Sequence, residues 1–532
     1  MSPEHKPVVV INTNSRRFRE WLLRENILQL PIAVWMIFLF SFLTRIPLLL
    51  SDLPPYQFCD ETIYQSEVGR MISDNDWVSN EFRAGGFNLY PAYIIFSFVN
   101  LFQPSPLSSS QMLIIGRLFY AVLLPALSSI IAFKIAKLFV GKIPAIITSL
   151  LFSTSSLLYS NFWYPDTYIQ FGILGFLYFA LIIFFAEVET KKSYLCLGIF
   201  LSIAISTKYT ALVLFTPVLL LLSYKFTRAP SNKVFWKNSF LFIGSFLILT
   251  CLLNVGALLR TKSFAEGFLF NLNNYGSTVE TRYDGYLFYL AILLINSFSI
   301  FGFVYLVVGV SRGGIQKLLL VFLSLYPLIL IMLLGDKKWI LSRNMTSVSG
   351  FLIPFIAIGI AWTILKIESS DKFLRKGLSL FLAASIFIPL TSYGYLVVKE
   401  MSTDTRVSAV NWISANIDRD VVVGVNEFCS GSSPAQIAGN NVIGDPTLAQ
   451  NLDYYVFNSY WDSPCSDKYL EKGVLTLIDQ SKIHFEQWNS TKLIGSFGPV
   501  RFTVSDVPMN YQIVKVISGD GPDIIIMKKL SY

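Results

Sequence analysis

The chain has 532 residues, of which 53% are hydrophobic and 14% are charged, and its mean hydropathy is +0.55. This composition is too apolar for an ordinary soluble domain and indicates a membrane protein. The formal net charge of +8 does not point to a nucleic-acid partner, because the basic residues cluster at the edges of apolar segments rather than on one soluble face.

The amino-terminal segment is polar and basic and precedes the first long apolar run, residues 30–50. That run is too long for the apolar core of a cleavable signal peptide, so it predicts a helix that stays in the protein. Five basic residues before it predict a cytoplasmic amino terminus by the positive-inside rule: Lys6, Arg16, Arg17, Arg19 and Arg24. Phe18, Trp21 and Leu22 would suit a short helix on the inner leaflet, and a plain topology signal is the open alternative.

Apolar runs that approach the length needed to cross a bilayer recur as far as residue 398. Together with the Lys- and Arg-rich segments between them, they predict about eleven membrane-spanning helices. After the first, the predicted spans are 111–139, 142–159, 164–185, 194–207, 211–224, 239–258, 287–310, 315–334, 350–365 and 378–398.

The connecting segments predict the orientation of the chain. Five of them are rich in Lys or Arg and are assigned to the cytoplasm: 134–142, 189–193, 224–237, 311–317 and 368–377. An odd number of spans then places the first long loop, 51–103, and the segment 399–532 outside. The sequence therefore predicts a membrane module, residues 1–398, followed by an extracytoplasmic domain.

The segment 399–532 differs in character from the rest of the chain. A predicted helix presents four apolar residues on one face: Val407, Val410, Ile413 and Ile417. Short strand-like runs follow, including VVVGVN, DYYVFN and DIIIMKK, and together they predict a small α/β domain. Cys429 and Cys465 fall in it, and whether they form a disulfide is left open because that depends on the compartment.

Asp60 and Glu61 follow the outer end of the first span by a few residues, in the stretch FCDETIY. Four apolar residues at helical spacing predict a helix that begins here and lies against an apolar neighbour: Tyr64, Val68, Met71 and Ile72. Carboxylates suit the first turn of a helix, where exposed N–H groups favour negative charge. Two interpretations stay open, a capping turn without chemistry and an acid pair that acts on a substrate.

Several cations lie where a membrane helix usually avoids them. Arg45 lies inside the first apolar run, Arg117 near the outer part of the next, and Lys208 between two spans. The outer stretch GDKKWILSRN adds Lys337, Lys338 and Arg343. A charge inside the bilayer costs about 2.5–3.5 kcal/mol on insertion scales, so such residues usually face a polar interior. Cations gathered at the outer surface favour a lipid phosphate, with snorkelling to headgroups as the alternative, above all for the two lysines of that stretch.

Asp166 begins another predicted span, in the stretch FWYPDTYIQFG. A carboxylate that caps a helix amino terminus is the plain explanation, and its predicted place outside the membrane is what links it to Asp60. The chain contains only two histidines, His5 and His484, and neither lies near these motifs, so the sequence offers no histidine-based metal site.

Taken in order, these residues resemble the GT-C type glycosyltransferases that use dolichyl- or polyprenyl-phosphate sugars. That family includes protein O-mannosyltransferases and the bacterial lipid A aminoarabinose transferase. Its members place an Arg in the first span, an Asp-Glu pair at the start of the first external loop, a Tyr three residues later and a Gly-Asp-Trp-like stretch beyond. The matching residues here are Arg45, Asp60, Glu61, Tyr64 and Asn75–Trp77, followed by Arg117, Asp166 in YPDTY, Lys208 with Tyr209, and Arg343 ahead of Pro354.

The resemblance covers nearly the whole chain, including the stretch DTRVSAVNWISANI that opens the carboxy-terminal domain. One departure stands out. Where the aminoarabinose transferases carry a Lys-Pro-Pro motif in the first loop, this chain reads GGFNLYPAYIIF. The sugar and the acceptor are therefore left open.

The resemblance implies a polytopic α-helical membrane protein with a small extracytoplasmic α/β domain. It implies a glycosyltransferase that moves a sugar from a polyprenyl-phosphate donor to a lipid, glycan or protein acceptor at the extracytoplasmic face, with inversion. No cofactor is required, and a divalent cation is permitted but not implied. Besides donor and acceptor, the expected partners are membrane lipids and no nucleic acid.

The resemblance also implies roles for individual side chains. Asp60 is expected to act as the general base, and Glu61 to orient the acceptor or to tune the pKa of its neighbour. Lys208 and Arg343 are expected to hold the leaving phosphate. The other residues expected to bind substrate are Arg45, Tyr64, Arg117, Asp166, which could orient the sugar or hold a divalent ion, and Tyr209.

Two other classes of function compete with an enzyme. A multi-spanning transporter or flippase of a lipid-linked or anionic substrate would also carry buried charges, but it predicts ionisable residues near the bilayer midplane and often inverted repeats. The acids here lie at the predicted outer edge, and no repeat is visible. A non-catalytic partner subunit is the third interpretation, and it would tolerate the loss of Asp60.

Overall fold

The computed structural model describes the backbone at residues 32–50, 59–80, 82, 85–102, 107–155, 157–158, 166–186, 190–228, 232–276, 282–296, 298–312, 316–335, 342–400, 405–425, 434–444, 452–458, 511–517 and 524–529. The chain divides into two compact units. The first comprises Met1–Ile46, Glu67–Pro104 and Gly116–Gly394, and the second Pro47–Ser66, Ser105–Ile115 and Tyr395–Tyr532.

The described residues contain 21 α-helices, which we number in chain order. The first ten are α1 Ile32–Leu43, α2 Pro47–Leu50, α3 Cys59–Ser73, α4 Tyr90–Asn100, α5 Ser109–Arg117, α6 Leu124–Lys137, α7 Lys142–Ser153, α8 Asp166–Phe185, α9 Lys191–Thr207 and α10 Phe215–Arg228. The others are α11 Asn232–Leu253, α12 Val255–Leu259, α13 Thr261–Gly276, α14 Arg282–Ala291, α15 Ser299–Arg312, α16 Lys317–Leu334, α17 Thr346–Ser349, α18 Ile353–Ser369, α19 Lys372–Glu400, α20 Thr405–Asn416 and α21 Pro434–Ile437.

Eight helical segments of the described chain are long and apolar enough to cross a membrane: Ile32–Leu49, Gln111–Lys137, Thr167–Phe185, Tyr209–Arg228, Lys233–Leu253, Lys317–Leu334, Thr346–Ser369 and Lys372–Tyr395. The helices α7 and α15 are apolar but shorter. The predicted class, a mostly helical membrane protein, is confirmed. The total of about eleven spans stays a prediction.

The core of the first unit lies around α8 and α18, whose spanning segments are mostly buried. The helices α11 and α19, in contrast, expose most of their apolar side chains, as expected of helices that face lipid tails. Helices α15 and α18 cross closely because glycines face the partner backbone. A Cβ added at Gly309 would overlap the carbonyl group of Phe355, and one added at Gly359 would overlap that of Tyr305.

The predicted span 287–310 is not one continuous helix. A π-helical turn, Ile292–Asn296, follows α14, and the next helix begins at Ser299, whose φ of 64° lies in the left-handed region. A residue in that region cannot continue a right-handed helix, so the two helical segments are separate. Apolar content alone predicted a single span because it does not register this break.

The described residues of the second unit contain a five-stranded sheet in the order β2-β1-β3-β5-β4. Its strands are β1 Val423–Val425, β2 Val442–Gly444, β3 Tyr454–Asn458, β4 Tyr511–Ile517 and β5 Ile524–Lys529. Strand β1 pairs in parallel with β2 and β3, whereas β5 is antiparallel to β3 and β4. The predicted α/β character is confirmed, since the runs VVVGVN, DYYVFN and DIIIMKK contain β1, β3 and β5.

Helix α20 supplies the apolar layer that covers this sheet. Ala409 and Ile413 are fully buried, and they pack with Val423 of β1 and Ile526 of β5 in one core cluster. The apolar face predicted at Ile413 and Ile417 therefore faces the core. Cys429 and Cys465 lie outside the described residues, so their disulfide stays a prediction.

Candidate functional site

The acid pair lies in the first turn of α3, the helix predicted from its apolar spacing. Val68 and Met71 on that helix are 1% and 0% exposed, which confirms its predicted apolar face. The side chains of Asp60, Glu61 and Tyr64 lie outside the described part of the structure. Their roles stay predictions.

The stretch Asn75–Trp77 begins where α3 ends. Asn75 has a φ of 50°, in the left-handed region that Asn tolerates better than most residues. The N–H of Asn75 donates to the carbonyl oxygen of Ile72 (3.3 Å), and the N–H of Asp76 donates to that of Met71 (3.0 Å). This is a Schellman motif, which satisfies the last carbonyl groups of a helix. The sequence SDND therefore stops the helix and presents the carboxylate of Asp76 directly after it.

Two arginines converge on that carboxylate. Arg70 Nη1 lies 3.1 Å from Asp76 Oδ2, and Arg260 Nη2 donates to the same oxygen at 2.5 Å. The N–H of Val78 donates to Asp76 Oδ1 at 3.1 Å. Hydrogen bonds from Arg260 and from the Val78 N–H, with Arg70 adding to them, hold the pKa of Asp76 down to about 2. Asp76 is therefore ionised at neutral pH and links α3 to the residue that precedes α13.

The segment 85–88, Gly-Gly-Phe-Asn, lies against the carboxy-terminal ends of two membrane helices. The carbonyl oxygen of Thr207, at the end of α9, accepts from the Gly85 N–H (3.1 Å) and from Asn88 Nδ2 (2.9 Å). Beyond the end of α11, Asn254 Oδ1 accepts from the Gly86 N–H at 3.1 Å. A Cβ at Gly85 would overlap the carbonyl group of Ser206. Glycine is required here because two backbones touch.

The same segment also contacts the start of α8. The rings of Phe87 and Tyr168 meet edge to face with centroids 5.5 Å apart, and Tyr168 is 1% exposed. Asp166 is the first residue of α8, although its side chain lies outside the described part of the structure. The segment 85–88 therefore brings the start of α8 and the end of α9 together.

Lys208 follows α9 directly, in an extended conformation that separates the helix from the 3-10 turn Tyr209–Leu214. Its Nζ donates to Asn344 Oδ1 at 3.1 Å, and Asn344 Nδ2 donates to the hydroxyl oxygen of Tyr289 at 3.1 Å. Asn344 and Tyr289 are 5% and 0% exposed. The half-buried ammonium is therefore held by buried polar groups on two other parts of the membrane unit.

Arg343 precedes Asn344 in the 3-10 turn Ser342–Met345. Its side chain lies outside the described part of the structure, as do Lys337 and Lys338. The hydrogen bond from Lys208 to Asn344 places the backbone of Arg343 beside the Lys208 side chain. The pairing of these two cations, predicted from the sequence, is consistent with this backbone arrangement and stays a proposal.

Tyr209 takes part in an aromatic group beside this site. Its hydroxyl donates to the carbonyl oxygen of Phe82 at 3.3 Å. Its ring meets those of Phe264 and Phe268 edge to face, with centroids 6.2 and 5.6 Å apart. Tyr209 therefore links the first loop to α13, and substrate binding by its side chain stays a prediction.

Arg45 and Arg117 are 1% and 0% exposed, which makes them the largest fully buried polar side chains described. Guanidinium groups cut off from water inside a membrane unit usually mark functional or polar interior positions. Their predicted supporting role in binding a phosphate is not tested by their burial.

Several residues of this site were not predicted from the sequence. Asn344 follows Arg343 directly, and Asn88 lies three residues after the Gly85 position, but a lone Asn carries little signal in a sequence. The only visible signal for the close contact at Gly85 was the adjacent glycine pair. In the sequence, Arg260 belongs to a polar stretch without a recognisable motif, so its pairing with Asp76 could not be inferred.

Within the described residues no group of three or more His, Cys, Asp or Glu side chains could hold a metal ion. The carboxylates of Asp60, Glu61 and Asp166 are not among the described side chains. A divalent cation at those residues therefore stays an open prediction.

The comparisons with known proteins agree with this architecture. Residues 91–257, less than half of the chain, match the family model for dolichyl-phosphate-mannose-protein mannosyltransferase. Among solved structures, ArnT from Cupriavidus metallidurans bound to undecaprenyl phosphate superposes with a TM-score of 0.53 at 12% identity, covering 93% of this chain and 97% of that one. The chain has the GT-C glycosyltransferase fold. This confirms the fold that the resemblance implies.

A second solved structure aligns at a lower score. The archaeal oligosaccharyltransferase AglB from Archaeoglobus fulgidus, in complex with an inhibitory peptide and a dolichol-phosphate, gives a TM-score of 0.49 at 11% identity over 90% of this chain and 75% of that one. Scores below 0.5 do not establish a shared fold, so the assignment rests on the ArnT comparison. No curated protein matches the chain.

Proposed function

We propose that this GT-C protein is an integral membrane glycosyltransferase that transfers a sugar from a polyprenyl-phosphate donor to an acceptor at the extracytoplasmic face, with inversion at the anomeric carbon. The amino terminus is cytoplasmic, and the acid pair and the carboxy-terminal domain are extracytoplasmic. The match of residues 91–257 to a family that uses dolichyl-phosphate mannose supports a lipid-phosphate donor. The undecaprenyl phosphate bound to ArnT supports the same class of carrier.

The observation that carries the proposal is the placement of Lys208. A cation at the end of a membrane helix, held 3.1 Å from a buried Asn and next to the backbone of Arg343, suits an anionic group at the membrane surface. A leaving phosphate gains negative charge as its bond to the sugar breaks. Fixed cations at that point stabilise the transition state more than the ground state.

The reaction is a single displacement. An acceptor hydroxyl or amine attacks C1 of the sugar while the carboxylate of Asp60 accepts its proton. A new bond forms between the acceptor and C1, and the bond from C1 to the phosphate oxygen breaks. That oxygen keeps the electron pair, and the polyprenyl phosphate leaves against Lys208 and Arg343. Attack on the face opposite the phosphate inverts the anomeric centre.

The remaining predicted residues have positioning roles in this proposal. Glu61 orients the acceptor, and Asp166, at the start of α8, orients the sugar. Arg45 and Arg117, which are fully buried, have supporting roles in binding the phosphate. The acceptor class stays open among lipid, glycan and protein, because the chain lacks the Lys-Pro-Pro motif that characterises aminoarabinose transferases.

The proposal is tested with the purified full chain in lipid nanodiscs and radiolabelled polyprenyl-phosphate mannose, glucose and aminoarabinose. A detergent extract of the source membranes supplies the acceptor. We expect one donor to release polyprenyl phosphate as the label passes to an acceptor. The same donors in liposomes distinguish a flippase, which would move the label across the bilayer without breaking its bond to phosphate. Movement without cleavage would overturn the proposal.

A further inference from the structure

Arg260 links the segment that follows α3 to the start of α13. It lies between α12 and α13, and its guanidinium donates to Asp76 Oδ2, to Asn80 Oδ1 and to the carbonyl oxygen of Val78, the last at 2.8 Å. One planar group thus reaches three acceptors within a five-residue segment, Asp76–Asn80. This is the fork geometry that distinguishes Arg from Lys.

The same segment is held from the side of α3. Arg70 donates to the carbonyl oxygen of Val78 at 2.9 Å and to Glu67 Oε1 at 2.9 Å. Glu67 Oε1 also accepts from the Asn80 N–H at 2.5 Å. The segment 76–80 is therefore held by two arginines and one glutamate. We call the five residues that make these contacts the arginine clamp: Glu67, Arg70, Asp76, Asn80 and Arg260.

We propose that Arg260 is a positioning residue for the transfer reaction, because through Asp76 and Arg70 it fixes the carboxy-terminal end of α3, the helix whose first turn contains Asp60. The inference rests on the proposed function. Asp60 and Arg70 lie ten positions apart on one continuous helix, about 15 Å at 1.5 Å per residue. A helix transmits a tilt at one end to the other, and small displacements of a catalytic group can reduce a rate by about 10²-fold.

Two simpler roles for Arg260 make different predictions. Exposed ion pairs often contribute little to stability, and the side chains of Arg260 and Asp76 are 28% and 29% exposed. In that case the loss of Arg260 changes nothing measurable. A cation near a membrane surface could also bind the donor phosphate directly. Substituting Arg260 would then weaken donor binding, whereas neutralising Asp76 would free the guanidinium and strengthen it.

The first measurement is hydrogen–deuterium exchange of the full-length protein in nanodiscs, which does not depend on catalysis. In Arg260→Ala we expect the amides of Val78 and Asn80 to exchange at least about tenfold faster than in wild type, because Arg260 holds both Asp76, the acceptor of the Val78 N–H, and the side chain of Asn80. Arg260→Lys keeps the charge without the fork and should restore only part of the protection. Lys262→Ala removes an exposed cation two residues away and serves as the matched control. Unchanged exchange in Arg260→Ala would overturn the clamp.

The second measurement is transfer kinetics with the same variants. We expect Arg260→Ala to lower kcat by about tenfold or more while the donor KM changes by less than about threefold. Asp76→Asn should have a similar effect, and the double variant should be no slower than the slower single variant, because both residues act through the same arginine clamp. A raised donor KM with normal kcat in Arg260→Ala, or tighter donor binding in Asp76→Asn, would overturn the positioning role in favour of direct phosphate binding. If the wild-type protein transfers no sugar, the proposed function is refuted. The existence of the arginine clamp is decided separately, by the exchange measurement.

Discussion

At the scale of single residues, the described part of the candidate site is a lysine held by buried polar partners. Lys208 lies between α9 and the 3-10 turn that follows it. Its ammonium group donates a hydrogen bond to Asn344, which in turn donates one to Tyr289. Motif order suggested Lys208 and Arg343 as a pair, and that pairing stays a prediction. It could not supply Asn344 or Tyr289, because the pairing joins residues 136 positions apart in the chain.

Replacing Lys208 tests its role at the phosphate. We expect Lys208→Ala to lower kcat by about 10²-fold, the usual effect of removing one group that stabilises developing negative charge. Lys317→Ala, which removes an exposed lysine from the first turn of α16, is the control and should transfer at the wild-type rate. Initial rates with a saturating labelled donor provide the comparison. A Lys208→Ala protein as fast as the control would remove this residue from the mechanism.

The titration of Asp76 gives a pH prediction. Its pKa in the folded protein is lowered from 3.8 to about 2, chiefly by Arg260. A lowered pKa means that the stabilisation from the arginine clamp is fully present above about pH 4 and is lost as the pH falls toward 2. After correction for intrinsic rates, exchange protection at Val78 should be constant from about pH 8 to 5 and should fall below about pH 3. Asp76→Asn should lack this step, and the same fall in that variant would refute the assignment.

At the scale of elements, close backbone contacts decide how the pieces of the site meet. Helical spacing predicted α3 and α20, and β-branched runs predicted three of the strands, because both signals are local. The contact of the segment 85–88 with α9 and α11 is not local, and the break in the predicted span 287–310 depends on the backbone angle of Ser299. Neither follows from apolar periodicity.

Gly85 tests the contact between the first loop and α9. An added methyl group would overlap the carbonyl group of Ser206, so we expect Gly85→Ala to displace the segment 85–88 and to reduce transfer by about tenfold or more. The thermal midpoint of unfolding in detergent should stay close to that of the wild type, although the transfer rate falls. Gly141→Ala, at a glycine with open space around it, serves as the control. Equal rates for the two variants would show that the loop contact is irrelevant to the reaction.

Gly359 tests the crossing of α15 and α18. A Cβ here would overlap the Tyr305 carbonyl group, so Gly359→Ala should destabilise the protein by about 1–3 kcal/mol, as overpacking does in other cores. Gly244→Ala on α11 meets nothing within 4 Å and should be neutral or slightly stabilising. Thermal unfolding followed by size-exclusion chromatography in detergent compares them. A midpoint for Gly359→Ala at or above that of Gly244→Ala would contradict the close crossing.

At the scale of the whole molecule, an apolar helical unit and a small α/β unit occur in one chain with the GT-C fold. Composition was enough to predict the membrane class, and the ordered motifs were enough to predict the fold. The arginine clamp could not be predicted, because Arg260 and Asp76 lie 184 positions apart and are joined only by the folded structure, and Arg260 belongs to no recognisable motif. The sugar and the acceptor are not given by any motif recognised in the sequence.

The central claim is that an acid in the first turn of α3 removes the acceptor proton, and the substitution Asp60→Asn tests it most directly. Sugar transfer is measured in nanodiscs with the labelled polyprenyl-phosphate donor that wild type uses, beside Glu266→Gln, which neutralises an exposed carboxylate on α13. We predict a loss of about 10²–10⁴-fold in kcat for Asp60→Asn with donor binding retained, and an unchanged rate for Glu266→Gln. Transfer by Asp60→Asn at the wild-type rate would contradict the mechanism.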